Sequence, residues 1–143
     1  MKERRNFAAR RLVGAVLAAG LEHLAVRGEI PDAVTLVPAP TRARAARSRG
    51  GDPVEAVCRA SGYPTWAGLT LDPRTADQAS LSAEERRANL AGSVRLSRGA
   101  QLPDGALVVV DDVVTTGATL QVSVEKLLAH GVDIVACVTL CAA

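Results

Sequence analysis

Residues 108–120 read Val-Val-Val-Asp-Asp-Val-Val-Thr-Thr-Gly-Ala-Thr-Leu, and this order of residue types can do chemistry. An apolar run long enough for a buried strand ends in two adjacent carboxylates, Asp111 and Asp112. Small hydroxyl residues and a glycine follow, then a helical pattern begins. The first backbone N–H groups of a helix have no intrahelical partner, and the helix dipole places partial positive charge beside them. A strand-turn-helix of this kind is therefore a ready site for a phosphate. Gly117 lets backbone come close to the anion, and Thr115, Thr116 and Thr119 offer hydroxyl donors to its oxygens.

Two carboxylates would repel a phosphate they touched. They make sense a few ångströms away, accepting hydrogen bonds from neutral hydroxyls, and the vicinal hydroxyls of a ribose bearing that phosphate at its 5-carbon meet the requirement. An ordinary strand end with a solvated aspartate and a helix cap explains one Asp and one Thr, but not the ordered series.

The elements that must position these groups are legible around them. Ala106–Val110 is expected as a strand, 111–116 as a polar turn, and Gly117–His130 as a helix with Leu120, Val124, Leu127 and Leu128 on one face and Gly131 closing it. Val132–Leu140 is a further, near-continuous apolar strand, expected to be buried. Upstream, residues 4–27 form a helix that places Leu12, Val13, Val16, Leu17, Leu21 and Leu24 on one face and stops at Gly28. Ala33–Val37 is a short buried strand closed by Pro38 and Pro40. Pro53–Ala60 is a helix with Asp52 as N-cap and Pro53 at its first position. Trp66–Leu71 and Ser93–Leu96 are candidate strands. Asp72–Gly92 is a long loop with a helical stretch at Ser82–Asn89, in the manner of a lid. Strands alternating with helices predict an α/β fold, a parallel sheet flanked by helices, as one domain over 1–143.

Composition supports that reading. With 48% hydrophobic residues in 143, one core can be buried without staples. Aromatics make up only 2%, leaving little for stacking nucleic-acid bases, and a net charge of +2 is too mild to imply a nucleic-acid partner, so direct contact with nucleic acid is not expected. Cys58, Cys137 and Cys141 are odd in number and form no CxxC pair, which argues against a disulfide framework or zinc ribbon and for buried thiols. Cys137 and Cys141 stand four apart and share one strand face. His23 and His130 are read as structural. The apolar run Leu12–Gly20 is too short to span a bilayer and continues as an amphipathic helix, so a soluble cytoplasmic protein without membrane contact is expected.

The segment 108–120 closely resembles the motif that binds 5-phosphoribosyl-1-pyrophosphate (PRPP) in type I phosphoribosyltransferases. The resemblance implies that fold with a flexible hood loop. It also implies that Asp111 and Asp112 act on the ribose as catalytic residues, and that Val114, Thr115, Thr116, Gly117, Ala118 and Thr119 cradle the 5-phosphate. The implied cofactor is Mg²⁺, carried by PRPP and held largely through water, with Asp111 and Asp112 as its candidate protein ligands. Leu36-Val37-Pro38-Ala39-Pro40, the basic run to Arg49-Gly50, then Gln78, Leu81, Arg86, Asn89 and Gly92 are similar to the ComF family of competence-associated, amidophosphoribosyltransferase-like proteins. That similarity puts the pyrophosphate loop just after the first strand, with Arg42 and Arg44 as its nearest basic groups, and makes Arg86 and Asn89 the hood residues.

Two departures stand out. The chain begins without the cysteine zinc ribbon that many members carry, and Gly51-Asp52-Pro53 follows Arg49-Gly50 where Phe-Asn-Gln is common. The second removes an amide pair near the pyrophosphate, which bears on turnover more than on binding. The implied activity is transfer of ribose 5-phosphate from PRPP to a base or amine with release of pyrophosphate. Its rivals are a PRPP- or nucleotide-binding protein without catalysis and a competence (DNA uptake) factor acting through partner contacts. PRPP and an acceptor are the expected partners, with a homodimer as the candidate assembly.

Overall fold

The structure, a computed structural model, describes residues 2–40, 51–72, 93–114 and 117–142. Helix α1 (Lys2–Val26) leads into strand β1 (Val34–Pro38), and helix α2 (Pro53–Ala60) follows. Strands β2 (Leu69–Leu71) and β3 (Val94–Leu96) precede strand β4 (Ala106–Val114), helix α3 (Ala118–Leu128) and strand β5 (Asp133–Ala142).

Strand β4 is the centre of a parallel sheet ordered β1-β4-β5. It pairs with β1 from Val34–Ala106 to Pro38–Val110, and with β5 from Ala106–Asp133 to Val114–Ala142. Its run Leu107-Val108-Val109-Val110 has no exposed surface at all. Successive strand residues point to opposite faces, so a strand covered on both sides must be apolar without alternation. Val108 and Val110 join Leu17, Leu21, Leu36, Val54 and Cys58 beneath α1 and α2. Leu107 and Val109 join Val37, Val122 and Leu127 beneath α3, together with Leu69 and Val94. The two helical layers on one parallel sheet are the α/β architecture expected.

The N-terminus of α2 is fixed as its sequence predicts. The Asp52 carboxylate accepts from the N–H groups of Val54 (2.8 Å) and Glu55 (3.2 Å), and Pro53 opens the helix where no N–H is needed. Gly14 has its own reason. A Cβ there would lie 2.7 Å from the carbonyl carbon of Ala60 and 2.8 Å from its Cβ, so α1 closes on the end of α2 only because the side chain is missing.

The expectations are corrected at several points. Strand β4 does not stop at Val110 but continues to Val114, so Asp111 and Asp112 lie in the strand, because β5 goes on pairing alongside it (Asp111–Thr139, Val113–Cys141). Helix α3 ends at Leu128, with Ala129 and His130 in tight turns and Gly131 at φ 75°. On α1, Val13 and Leu24 are half-buried and Leu17 and Leu21 buried, but Leu12 and Val16 are 68% and 65% exposed. The helix packs on one side only, so its buried stripe is narrower than six residues. Leu128 likewise faces outward, and Val122 and Ser123 take the buried positions on α3. Strand β5 is half-buried rather than buried, because it stands at the edge of the sheet, and Cys137 and Cys141 are exposed there. The segment Trp66–Leu71 yields only three strand residues, which pair antiparallel with β3 in a separate ribbon. The helical stretch expected at Ser82–Asn89 and the hood loop lie outside the described residues.

Candidate functional site

In open α/β sheets, ligands bind beyond the carboxyl ends of the strands, where helix N-termini converge. Here β1 ends at Pro38 and β4 carries Asp111 and Asp112 past that point, with the N–H of Ala39 donating to the carbonyl of Val110 at 2.7 Å. Both helix N-termini that follow these strands are candidates for an anion, and the structure distinguishes them.

At α2 the position is taken, because the Asp52 carboxylate already occupies the first N–H groups. At α3 the preceding residue is Gly117, in the left-handed conformation (φ 70°, ψ 4°), with no side-chain cap and no acidic residue in the first turn. An L-residue with a branched side chain would be strained there, which is the physical need for glycine. The Gly117 carbonyl accepts from Gln121 N–H at 2.8 Å, so the helix is well formed from its start. Its N-terminus lies three residues after the strand end, keeping the dipole's positive end beside the carboxylates.

Asp111 and Asp112 are both half-buried. Oδ1 of Asp111 accepts the N–H of Asp112 at 2.8 Å, turning the first carboxylate toward the second. Partial burial pushes the Asp111 carboxyl above the usual range. The Asp112 N–H bond opposes that shift, while the neighbouring Asp112 carboxylate and, further off, Asp52 add to it. The strand end is thus a point of concentrated negative potential shortly before the N-terminus of α3. Such a pair can accept from hydroxyl groups or stand against a cation or a carbon gaining positive charge.

A cavity of about 310 Å³ opens at the same end of the sheet. Pro38, Ala39 and Pro40 form one wall, Asp52 and Glu55 another, and Ala67, Leu69, Thr70 and Leu71 the rest. Its volume is at the lower end for a small-molecule site. Pro40 and Asp52, which precede and follow residues 41–50 in the chain, both line it. A cavity lined by Asp32, Tyr63, Pro64 and Asp104 lies at the opposite end, where the strands begin.

The structure therefore brings Asp111, Asp112, Gly117, Ala118 and Thr119 to one end of the sheet, with the backbone of Val114 between them. The carbonyl of Thr119 accepts from Ser123 Oγ at 2.7 Å. Thr115, Thr116, Arg42, Arg44, Arg86 and Asn89 lie outside the described residues. Sequence reasoning took Asp52 for a helix cap alone. It also borders the cavity and lends its charge to the environment of Asp111, a role no local pattern signals because the two are 59 positions apart. Cys58 is excluded as a nucleophile, since burial, with the Asp52 charge, pushes its thiol up to about 12.

Among the described residues no group of three or more His, Cys, Asp or Glu could hold a metal ion, and no helix is long and apolar enough to cross a membrane.

The family described as the phosphoribosyl transferase domain matches residues 54–143. Among solved structures, a hypoxanthine phosphoribosyltransferase from Staphylococcus aureus is similar at 13% identity and a TM-score of 0.51, over 93% of this chain and 62% of that one. The hypoxanthine phosphoribosyl transferase of Trypanosoma cruzi is similar at 14% identity and a TM-score of 0.48, over 96% and 63%. The chain spans about three-fifths of the length of these proteins, and the first likeness supports the fold. Among curated proteins none matches the sequence.

Proposed function

The chain belongs to the phosphoribosyl transferase domain family, and from that premise we propose that it binds PRPP at the end of β4 and transfers its ribose 5-phosphate to a base or amine. The observation that carries this reading is the N-terminus of α3, entered through left-handed Gly117 a few residues after the half-buried carboxylates Asp111 and Asp112. In this reading the 5-phosphate sits against the backbone of Val114–Thr119, with Thr115, Thr116 and Thr119 adding hydroxyl donors. Asp111 and Asp112 accept from the ribose hydroxyls.

The bond from C1 of the ribose to pyrophosphate breaks with its electron pair leaving on pyrophosphate. The acceptor's lone pair forms the new bond to C1, and the acceptor loses a proton. Positive charge develops on the sugar as the bond lengthens, and the two carboxylates stabilise it electrostatically. Arg42 and Arg44 bind the departing pyrophosphate, which a guanidinium can grip with two parallel hydrogen bonds. Arg86 and Asn89 close over the substrate and keep water from C1.

Mg²⁺ suits the donor set. Asp111 and Asp112 are hard oxygen donors, suited to stand beside an ion carried mainly by the substrate's phosphates and water. Bound in this way the ion would neutralise charge on the leaving pyrophosphate. Within the family, the order Leu36–Pro40, Arg49-Gly50, Arg86 and Asn89 favours the ComF branch.

Incubation with Mg²⁺–PRPP and a panel of purines, pyrimidines and ammonia tests the reading. Pyrophosphate release matched by one phosphoribosylated product is expected. Binding of PRPP without release for any acceptor would remove the catalytic claim, and absence of PRPP binding would remove the site.

A further inference from the structure

Strand β5 leaves one edge of the sheet without a partner among the described residues. Proteins protect such edges with charges, proline or brevity. This one is ten residues long, and after Asp133 at its start it reads Ile-Val-Ala-Cys-Val-Thr-Leu-Cys-Ala, with no charge and no proline. The opposite edge of the sheet is different. There the chain itself covers β1, with Leu36 N–H donating to the Pro64 carbonyl and Trp66 N–H to the Leu36 carbonyl, each at 2.8 Å.

We propose that β5 is a self-association edge, pairing antiparallel with β5 of a second copy of this chain to make one continuous sheet across a two-fold axis. Among the described residues β5 is the one open edge of the parallel sheet, so a dimer formed through it leaves no further open edge of that sheet. Charge placement suits the same occupant. Antiparallel pairing sends the exposed Asp133 carboxylates to opposite ends of the interface, whereas parallel pairing would set them side by side.

The register follows from the backbone. A bulge interrupts β5 at Val135, after which residues 136–142 run in regular register with β4. Opposed residues of an antiparallel pair point to the same face, so a two-fold must pass through a residue rather than between two. The centre of the regular stretch is Thr139. Pairing about Thr139 sets Cys137 of each copy opposite Cys141 of the other, and both thiols are exposed. Opposed Cα atoms lie about 4.5–5.5 Å apart, within the span of a disulfide, whereas Cys137 to its own equivalent, or Cys141 to its own, is about 13 Å along the strands. The same two-fold keeps the α1–α2 layers of both copies on one side of the sheet, the side on which α1 carries exposed Leu12 and Val16.

Light scattering on the full chain over a concentration series should give twice the chain mass. Thr139→Lys, which opposes two ammonium groups at the axis, should return it to the single-chain mass with an unchanged far-ultraviolet circular dichroism spectrum. The second test does not depend on how that variant folds. Cys137→Ser and Cys141→Ser proteins are oxidised separately and as a mixture with diamide, which takes up the two protons and two electrons of each thiol pair. The mixture should cross-link through Cys141 and Cys137, and neither protein alone should. Buried Cys58 is common to all arms. A single-chain mass throughout, a dimer that survives Thr139→Lys, or equal cross-linking by either protein alone would overturn the proposal.

Discussion

Replacing Asp111 by Asn should move stability and binding in opposite directions. The carboxyl is held above its ordinary value of 3.8 by partial burial first, and its charge also lies beside Asp112 and within reach of Asp52. A carboxyl whose folded value is raised leaves the native state holding more protons than the unfolded chain. Its ionisation therefore costs stability as pH rises from about 4 through the raised value. The ligand-free Asn variant is spared that cost, so at neutral pH it should melt above the parent, and the gap should close in acid.

Binding should fall. The Asp112 N–H, which the carboxylate accepts at 2.8 Å, should hold the amide oxygen, leaving the amide nitrogen to face the proposed ribose hydroxyl in place of a charged acceptor. A charge-assisted hydrogen bond contributes about 1.5–3 kcal/mol and a neutral one about 0.5–1.5. The difference, about 1–2 kcal/mol, raises Kd by roughly 5- to 30-fold. Titration calorimetry with ribose 5-phosphate and with Mg²⁺–PRPP, paired with thermal unfolding from acid to neutral pH, measures both effects. Unchanged affinity for both ligands would refute the ribose assignment, and a lower melting temperature at neutral pH would refute the electrostatic argument.

Gly117→Val forces a β-branched side chain into φ 70° at the start of α3, where the phosphate is proposed to bind. It should cost about 1–2 kcal/mol of stability by unfolding titration and abolish binding of inorganic phosphate, whereas a folded variant that keeps the anion would place the phosphate elsewhere. Gly14→Val pushes α1 off the end of α2, where even a Cβ would lie 2.7 Å from backbone. A loss of about 1–3 kcal/mol or more is expected from overpacking, with ribose 5-phosphate affinity of the folded fraction unchanged.

The sequence by itself determined the local pieces of this protein, because each rests on contacts within a few residues. The β4-turn-α3 unit follows from four apolar residues, two carboxylates, threonines and a glycine in order. The Asp52-Pro53 start of α2 follows from what a helix N-terminus lacks, and Gly131 after α3 from what its C-terminus needs. The parallel sheet followed from strands alternating with helices.

Tertiary structure decided the rest. Whether Asp111 lies in a turn or a strand depends on how far β5 runs beside it, and that partner begins 22 positions later in the chain. Leu12 and Val16 fit the same helical period as Leu17 and Leu21, but periodicity gives a direction around the helix and not the width of what covers it. An apolar strand reads the same at the centre of a sheet and at its edge, so β4 and β5 look alike in sequence although one is sealed on both faces and the other is half-open. The charge of Asp52 reaches Asp111 for the same reason. Burial, strand order and field depend on distances through space, which the chain sets only when it is packed.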